Sequence, residues 1–62
     1  MSDNIDYFEI KGFKFKTILD EDTEMFYEVY VFDSKKNNWE ILDDNCMEED
    51  VSIITSEYCE IY

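Results

Sequence analysis

The eight residues from Met25 to Phe32 constrain the fold more than any other stretch of this chain. Six of them are β-branched or aromatic, the residue types that fit the pleated surface of a β-strand. Glu28 is the only charged residue among them, and apolar side chains alternate onto both faces: Tyr27, Val29 and Val31 on one, Phe26, Tyr30 and Phe32 on the other. A strand that is apolar on both faces belongs inside a sheet, so this stretch is predicted to be the central strand.

The segment 5–19 also alternates like a strand, but its parity changes at Gly12. Phe8 falls at an even position, whereas Phe13 and Phe15 fall at odd positions. A β-bulge at Gly12 would keep both sets on one core face, which predicts a single bent strand. A tight turn at Lys11-Gly12 between two short strands is the alternative.

Two polar segments separate the strand patterns. Residues 20–24 contain no apolar side chain and are predicted to form a loop. Residues 33–38 are polar as well, and Trp39–Leu42 reads as a short third strand. A hairpin with residues 34–37 as its loop would set Phe32 opposite Trp39 and Tyr30 opposite Ile41, which are favourable cross-strand pairs.

The last segment has a helical period. Its apolar residues recur at spacings of four, three, four and three: Met47, Val51, Ile54, Tyr58 and Ile61. Asp44 or Asn45 is a candidate N-cap, and acidic residues follow where the helix dipole favours them. The sequence therefore predicts a helix from about residue 46 to residue 60. Residues 51–56 are poor helix formers, so a strand is the alternative.

These elements predict one small α+β domain spanning residues 1–62, with residues 1–4 as a flexible lead-in. The predicted fold is a three-stranded antiparallel meander with the C-terminal helix packed on one face. An all-β fold with a fourth strand is the alternative. One helix covers only one face of the sheet, so aromatic side chains such as Tyr30 and Trp39 are expected to stay partly exposed on the other.

The charge is strongly acidic and unevenly distributed. Seventeen acids and five lysines give a net charge of −12, and residues 37–62 contain eight acids and no base. An ordinary solvated helix face usually carries interleaved lysines, and none follows Lys36. The sequence therefore predicts an acidic partner-binding surface formed by Asp43, Asp44, Glu48, Glu49, Asp50, Glu57 and Glu60. On the exposed sheet face, Lys14 and Lys16 are expected to lie across from Glu28 or neighbouring acids.

The residue inventory argues against catalysis. The chain has no histidine and no arginine, which removes the commonest general base and the bidentate anion clamp. Cys46 and Cys59 lie among acids that oppose thiolate formation, so both are expected to be free packing residues, and a single bridge between them is the alternative. The acidic runs lack the spacing of a calcium loop. No enzyme activity, cofactor or dedicated metal site is predicted.

Cysteine usage and hydropathy bear on location. Two cysteines are too few for the disulfide framework of a small secreted domain. No apolar run approaches a membrane span, and the first residues lack the features of a signal peptide. The sequence predicts a soluble cytoplasmic protein without a membrane partner.

The charge also indicates a class of partner. A nucleic-acid binder needs a basic footprint, and this chain has the reverse, so direct nucleic-acid binding is not expected. In size, charge and aromatic content the chain is similar to small acidic proteins, many encoded by phages, that inhibit nucleic-acid-binding enzymes. That resemblance is compositional, covers no alignable motif and transfers no residue roles.

The resulting hypothesis is a DNA-mimicking, anti-defence type of inhibitor that binds the basic groove of a nuclease, repair enzyme or polymerase. The alternative is a protein–protein adaptor or small subunit that binds through the aromatic sheet face, where Tyr30 and Trp39 are candidate contacts. A homodimer formed by a second copy covering that face is a further possibility.

Overall fold

Residues 4–62, which the computed structural model describes, form a four-stranded antiparallel sheet and one helix. The elements are β1 (Ile5–Ile10), β2 (Phe13–Leu19), β3 (Tyr27–Asp33), β4 (Asn38–Cys46) and α1 (Glu48–Ile61). The strands lie in chain order, so the sheet is a meander, and β3 pairs with both β2 and β4. The predicted α+β class and C-terminal helix are confirmed, but the sheet has four strands instead of three.

The additional strand arises because the segment 5–19 is a hairpin and not one bulged strand. Lys11 and Gly12 have φ angles of 51° and 86°, and positive φ at both central residues is what a two-residue type I′ turn requires. Ile10 pairs directly with Phe13. The parity change did not separate the two arrangements, because both put the apolar residues before and after Gly12 on the same face. The predicted bulge is therefore wrong, and the alternative turn is correct.

The second hairpin has the predicted register. Phe32 pairs with Trp39 and Tyr30 pairs with Ile41, across a turn that includes residues 34–37. β4 continues beyond the predicted end at Leu42 to Cys46, and its pairing with β3 shifts register on both sides of Val29. The longer β4 carries the acidic residues 43 and 44 into the sheet.

The first three residues of the predicted flexible lead-in lie outside the described residues. The fourth, Asn4, is tied to the sheet, because its carbonyl accepts a hydrogen bond from the Leu19 N–H at 2.8 Å. The bond places Asn4 beside the end of β2, and the flexible lead-in stays a prediction.

The core lies between the sheet and α1 and is small. Phe15, Val29, Val31 and Cys46 are its buried apolar residues, and Thr17 and Thr55 are buried beside them. Tyr58 places its ring edge-on against Phe13 and Phe15 at centroid distances of 5.3 and 5.8 Å. The middle of the predicted helical stripe packs on the sheet, whereas Met47 and Ile61 at its two ends are exposed.

The helix begins later than the sequence predicted. Neither Asp44 nor Asn45 caps it, because both belong to β4 and the Asn45 N–H is bonded to Asp43 Oδ1 at 3.0 Å. The N-cap is Met47, which has an extended backbone and makes no side-chain cap hydrogen bond. The first turn, with Glu48, Glu49 and Asp50, therefore starts without a side-chain acceptor.

Met47→Ser is expected to stabilise the domain by about 1 kcal/mol relative to Met47→Ala, because a serine hydroxyl at the N-cap accepts a hydrogen bond from the first helical turn. The comparison with alanine removes the same methionine packing from both variants. Urea unfolding followed by circular dichroism measures the difference. Equal midpoints for the two variants would show that the helix start does not limit stability.

Candidate acidic interaction surface

The meander topology brings two acidic segments to one end of the molecule. In a four-stranded meander the β1–β2 and β3–β4 turns lie at one end, and the β2–β3 loop and the β4–α1 junction lie at the other. Side chains of the loop and of the helix start line a common cleft, including Met25, Met47, Glu24 and Glu48. We call this the acidic end; its acids are Asp20, Glu21, Asp22, Glu24, Glu28, Asp43, Asp44, Glu48, Glu49 and Asp50.

The loop of the acidic end has its own internal order. The Asp20 carboxylate accepts hydrogen bonds from the Asp22 N–H at 3.1 Å and from the Thr23 hydroxyl at 3.3 Å. The Asp20 N–H donates to the Phe26 carbonyl at 2.9 Å, which closes the loop. These bonds order the loop, and its Glu24 lines the cleft shared with Glu48 and Glu49 in the first turn of α1. The sequence predicted the loop but not that it joins the acidic helix, since this proximity depends on strand order.

The lysines lie elsewhere. All five belong to the two hairpin turns or to β2: Lys11, Lys14, Lys16, Lys35 and Lys36. Over the part of the chain that the structure describes, the one ion pair joins Lys36 Nζ to Glu40 Oε1 at 2.8 Å, within the second hairpin. The carboxylates of the acidic end therefore form no ion pair with a lysine in the described residues.

The outer face of α1 extends the acidic end along the helix. The carboxylates of Glu49, Asp50, Glu57 and Glu60 are exposed and project from the side opposite the buried Thr55. Ile53, which is 54% exposed, falls among them. Four of the seven predicted acidic residues thus share one face, which is the arrangement that a helical period predicts.

The other three predicted acids do not all join that face. Asp43 pairs with Val29 on the helix side of the sheet and is half-buried. Asp44 follows it in β4, and its charge acts on the Tyr30 hydroxyl instead. Glu48 is exposed in the first helical turn. Asp43 and Asp44 are consecutive residues of β4, so strand alternation turns their side chains to opposite faces of the sheet. The sequence prediction had assigned both to the start of the helix.

The predicted aromatic contacts lie on the sheet face that α1 leaves uncovered. Trp39 and Tyr30 are half-buried there, and Tyr7 and Ile41 beside them are 66% and 51% exposed. Trp39 contacts Phe32 and Tyr7 at ring-centroid distances of 5.3 and 6.0 Å. This cluster matches the expectation that aromatic side chains remain partly exposed.

Lys16 does not lie across from an acid. Its direct neighbours are Tyr7 on β1 and Tyr30 on β3, and its ammonium lies over the Tyr30 and Trp39 rings. Glu28 pairs with Ile18 instead. Lys14 does pair with an acid, Glu9, so the expectation holds for Lys14 and is wrong for Lys16.

The two cysteines are free and lie at opposite ends of the core. The Cys46 thiol donates to the Tyr27 carbonyl at 3.5 Å, and the Cys59 thiol donates to the Ile10 carbonyl at 3.6 Å. Burial raises the pKa of Cys46, and the nearby carboxylates of Asp43 and Asp50 raise it further. Such a thiol stays protonated at neutral pH and packs in the core.

The part of the chain that the structure describes contains neither a cluster of metal ligands nor a membrane-spanning helix. Within residues 4–62 no three acids or cysteines converge into a group that could hold a metal ion. In the same span there is no helix of the length and apolarity needed to cross a membrane.

The pKa values of two tyrosines are raised, as that of Cys46 is. The Tyr30 hydroxyl donates to Glu28 Oε1 at 2.7 Å, and this bond, followed by burial, raises the pKa of Tyr30. Burial against the sheet raises the pKa of Tyr58. All three groups hold their protons more tightly in the native state than when exposed.

The domain is therefore expected to lose stability at alkaline pH. When a group has a higher pKa in the native state, the unfolded chain releases the proton first as pH rises. The group's contribution to the free energy of unfolding is therefore complete below its unfolded pKa and is lost as pH rises through its native pKa. The free energy of unfolding should be level near neutrality and fall from about pH 8.5 upward. Urea titrations between pH 7 and 11 measure this. Tyr30→Phe and Cys46→Ala should flatten the decline, and a stability that rises over this range would contradict the assignment.

Comparison with protein-family models, with curated proteins and with solved structures finds no match to this chain.

Proposed function

We propose that this chain is a non-enzymatic inhibitor whose acidic surface occupies the basic groove of a nucleic-acid-processing protein, such as a nuclease, a repair enzyme or a polymerase. The surface comprises the acidic end and the outer face of α1. The observation that carries the proposal is the separation of charge, with the lysines confined to β2 and the hairpin turns. A phage-type anti-defence or host-takeover role in the cytoplasm is the setting in which such an inhibitor would act.

Electrostatics supports this kind of partner. Ten carboxylates at one end of a 62-residue domain repel each other, which costs a small domain stability. A basic groove relieves that repulsion and is shaped to bind a polyanion, because duplex DNA presents one negative charge per about 1.7 Å of its axis. Complementary charge of this density steers encounter and raises association rates by about 10- to 1,000-fold.

Inhibition assays with purified nucleases, glycosylases and polymerases test the proposal. At least one enzyme with a basic groove should be inhibited stoichiometrically, and its association rate with the chain should fall about tenfold or more between 50 and 200 mM salt. Binding that is indifferent to salt would argue for an apolar interface and against the acidic surface.

The second candidate function is an adaptor or small subunit that binds through the aromatic sheet face. The exposed Tyr7 and Ile41 beside Trp39 favour it, because aromatic residues dominate binding energy at protein interfaces. Ile41→Ser should then weaken partner binding more than Ile53→Ser, its counterpart on the helix. A partner lost only with Ile53→Ser would favour the acidic helix face.

A further inference from the structure

On the uncovered sheet face a cation lies over two aromatic rings, and a third ring lies beside them. The ammonium of Lys16 lies 4.8 Å from the centroid of the Trp39 ring and 5.1 Å from that of Tyr30. Tyr7 flanks Lys16 on β1, and its ring lies 6.0 Å from that of Trp39. Tyr7, Tyr30 and Trp39 are called the aromatic cradle below.

Contacts that do not involve Lys16 hold the cradle in place. The Tyr30 hydroxyl is bonded to the Glu28 carboxylate at 2.7 Å, which fixes the orientation of its ring. Phe32 packs edge-on against Trp39 at 5.3 Å, and Trp39 is also its cross-strand partner. The rings are therefore positioned by the sheet itself, and the cradle is preformed.

Lys16 is held in the cradle only weakly. A cation over aromatic rings near solvent gains about 0.5–1 kcal/mol. Within residues 4–62 the Lys16 ammonium has no carboxylate at ion-pair distance. Glu28 is a diagonal neighbour on the same sheet face, two residues from the Tyr30 that pairs with Lys16, and lies within reach of the flexible lysine stem. Lys16 thus has an alternative carboxylate partner when it leaves the rings.

We propose that the aromatic cradle is a binding site for the ammonium or guanidinium group of a partner's lysine or arginine, which takes the place of Lys16. The native structure already places a cation of this chemistry over the rings. The charge is complementary, because the domain carries −12 and the Glu28 and Asp44 carboxylates act on Tyr30. Tyr7 is 66% exposed, which leaves the cradle open toward the β1 edge of the sheet. Lys16 acts as a tethered competitor that weakens the binding of any other cation by a small factor.

The cradle is separate from the outer face of α1, because it lies on the face of the sheet that α1 does not cover, and it borders the acidic end at Glu28 and Asp44. It requires no nucleic-acid enzyme as partner.

Lys16→Thr tests the proposal, with Lys14→Thr as the matched control. Both substitutions remove one positive charge from β2, and threonine suits a strand, but Lys14 lies opposite Glu9 and not over the rings. The probes are tetramethylammonium and N-acetyl-arginine amide, and the readout is the fluorescence and the indole N–H resonance of Trp39, the single tryptophan. Lys16→Thr should bind both probes about two- to fivefold more tightly than the native chain. This factor is the energy of the Lys16–ring contact, which a probe no longer has to overcome, converted to an affinity ratio. Lys14→Thr should bind them like the native chain.

Equal affinities for Lys16→Thr and Lys14→Thr would overturn the proposal, since general charge would then explain the binding. A Trp39 signal that does not respond to either probe in Lys16→Thr would overturn it as well. Adding Tyr30→Leu to Lys16→Thr should abolish the gain while Trp39 still reports. Amide spectra establish that the sheet is intact, and Lys16→Gln, which keeps the length of the stem, replaces Lys16→Thr where the latter unfolds.

Discussion

Reversal of the four outer-face carboxylates of α1 is expected to abolish binding to a basic-groove enzyme, with a loss of affinity on the order of 100-fold or more. The variant carries Glu49→Lys, Asp50→Lys, Glu57→Lys and Glu60→Lys. It changes the net charge from −12 to −4 and places lysines where the partner is basic. All four side chains are exposed, so the fold should remain, because relief of like-charge repulsion offsets the loss of two acids from the positive end of the helix dipole. Titration calorimetry measures the affinity.

A matched pair of double variants separates position from total charge. Glu57→Lys with Glu60→Lys and Asp6→Lys with Glu9→Lys change the charge equally, and all four residues are exposed. The double variant on the helix should weaken binding strongly. The double variant on β1 should weaken it only slightly, through the reduced long-range attraction between the two proteins. Equal losses would mean that net charge, and not the outer face of α1, determines affinity.

Phe15→Ala is expected to unfold most of the protein at 25 °C. Phe15 is fully buried between Phe8, stacked at 5.5 Å, and the edge of Tyr58. Truncating a buried phenylalanine costs about 3–5 kcal/mol, and a domain of this length has a total stability of about 3–9 kcal/mol. The small core and the net charge of −12 place this chain toward the lower end of that range, so the substitution leaves little stability. Loss of near-ultraviolet circular dichroism and of amide dispersion measures the unfolded fraction.

Phe15→Leu is the matched control, because it keeps an apolar side chain in the same position. It should cost markedly less than the alanine substitution and leave the domain folded. A Phe15→Ala variant that melts like the native chain would show that the core does not depend on this ring.

Local pattern was sufficient to predict much of the fold. The run of strand-forming residues placed β3 inside the sheet, and pairing rules gave the register of Phe32 with Trp39. The recurrence of Val51, Ile54 and Tyr58 gave α1 despite poor helix formers between them. In α1 the side-chain period itself distinguishes the buried face, whereas β3 is apolar on both faces and its pattern gives only its place inside the sheet.

Other features could not be derived from pattern alone. A bulge and a turn at Gly12 produce the same face assignments, so only backbone dihedrals distinguish them. The N-cap depends on where β4 ends, and Asn45 continues that strand. A cap residue in the sequence therefore predicts a helix start only when the preceding strand has stopped.

Local pattern predicted only part of the candidate site. The outer face of α1 follows from helical period. The contribution of the loop at residues 20–24 depends on strand order, and the opposite orientations of Asp43 and Asp44 depend on their place in β4. The contact of Lys16 with aromatic rings follows from its neighbours in the sheet, Tyr7 and Tyr30, once β1 and β2 are recognised as separate strands.

Competition with nucleic acid is the most direct test of the central claim, which is that the acidic surface occupies a nucleic-acid-binding groove. A fluorescently labelled duplex is bound to an enzyme that the chain inhibits, and its anisotropy is followed as the chain is added. Mutually exclusive binding predicts that anisotropy falls to that of the free duplex and that the apparent affinity of the chain weakens in proportion to added unlabelled duplex. An anisotropy that stays constant or rises, with duplex, enzyme and chain in one complex, would contradict the claim.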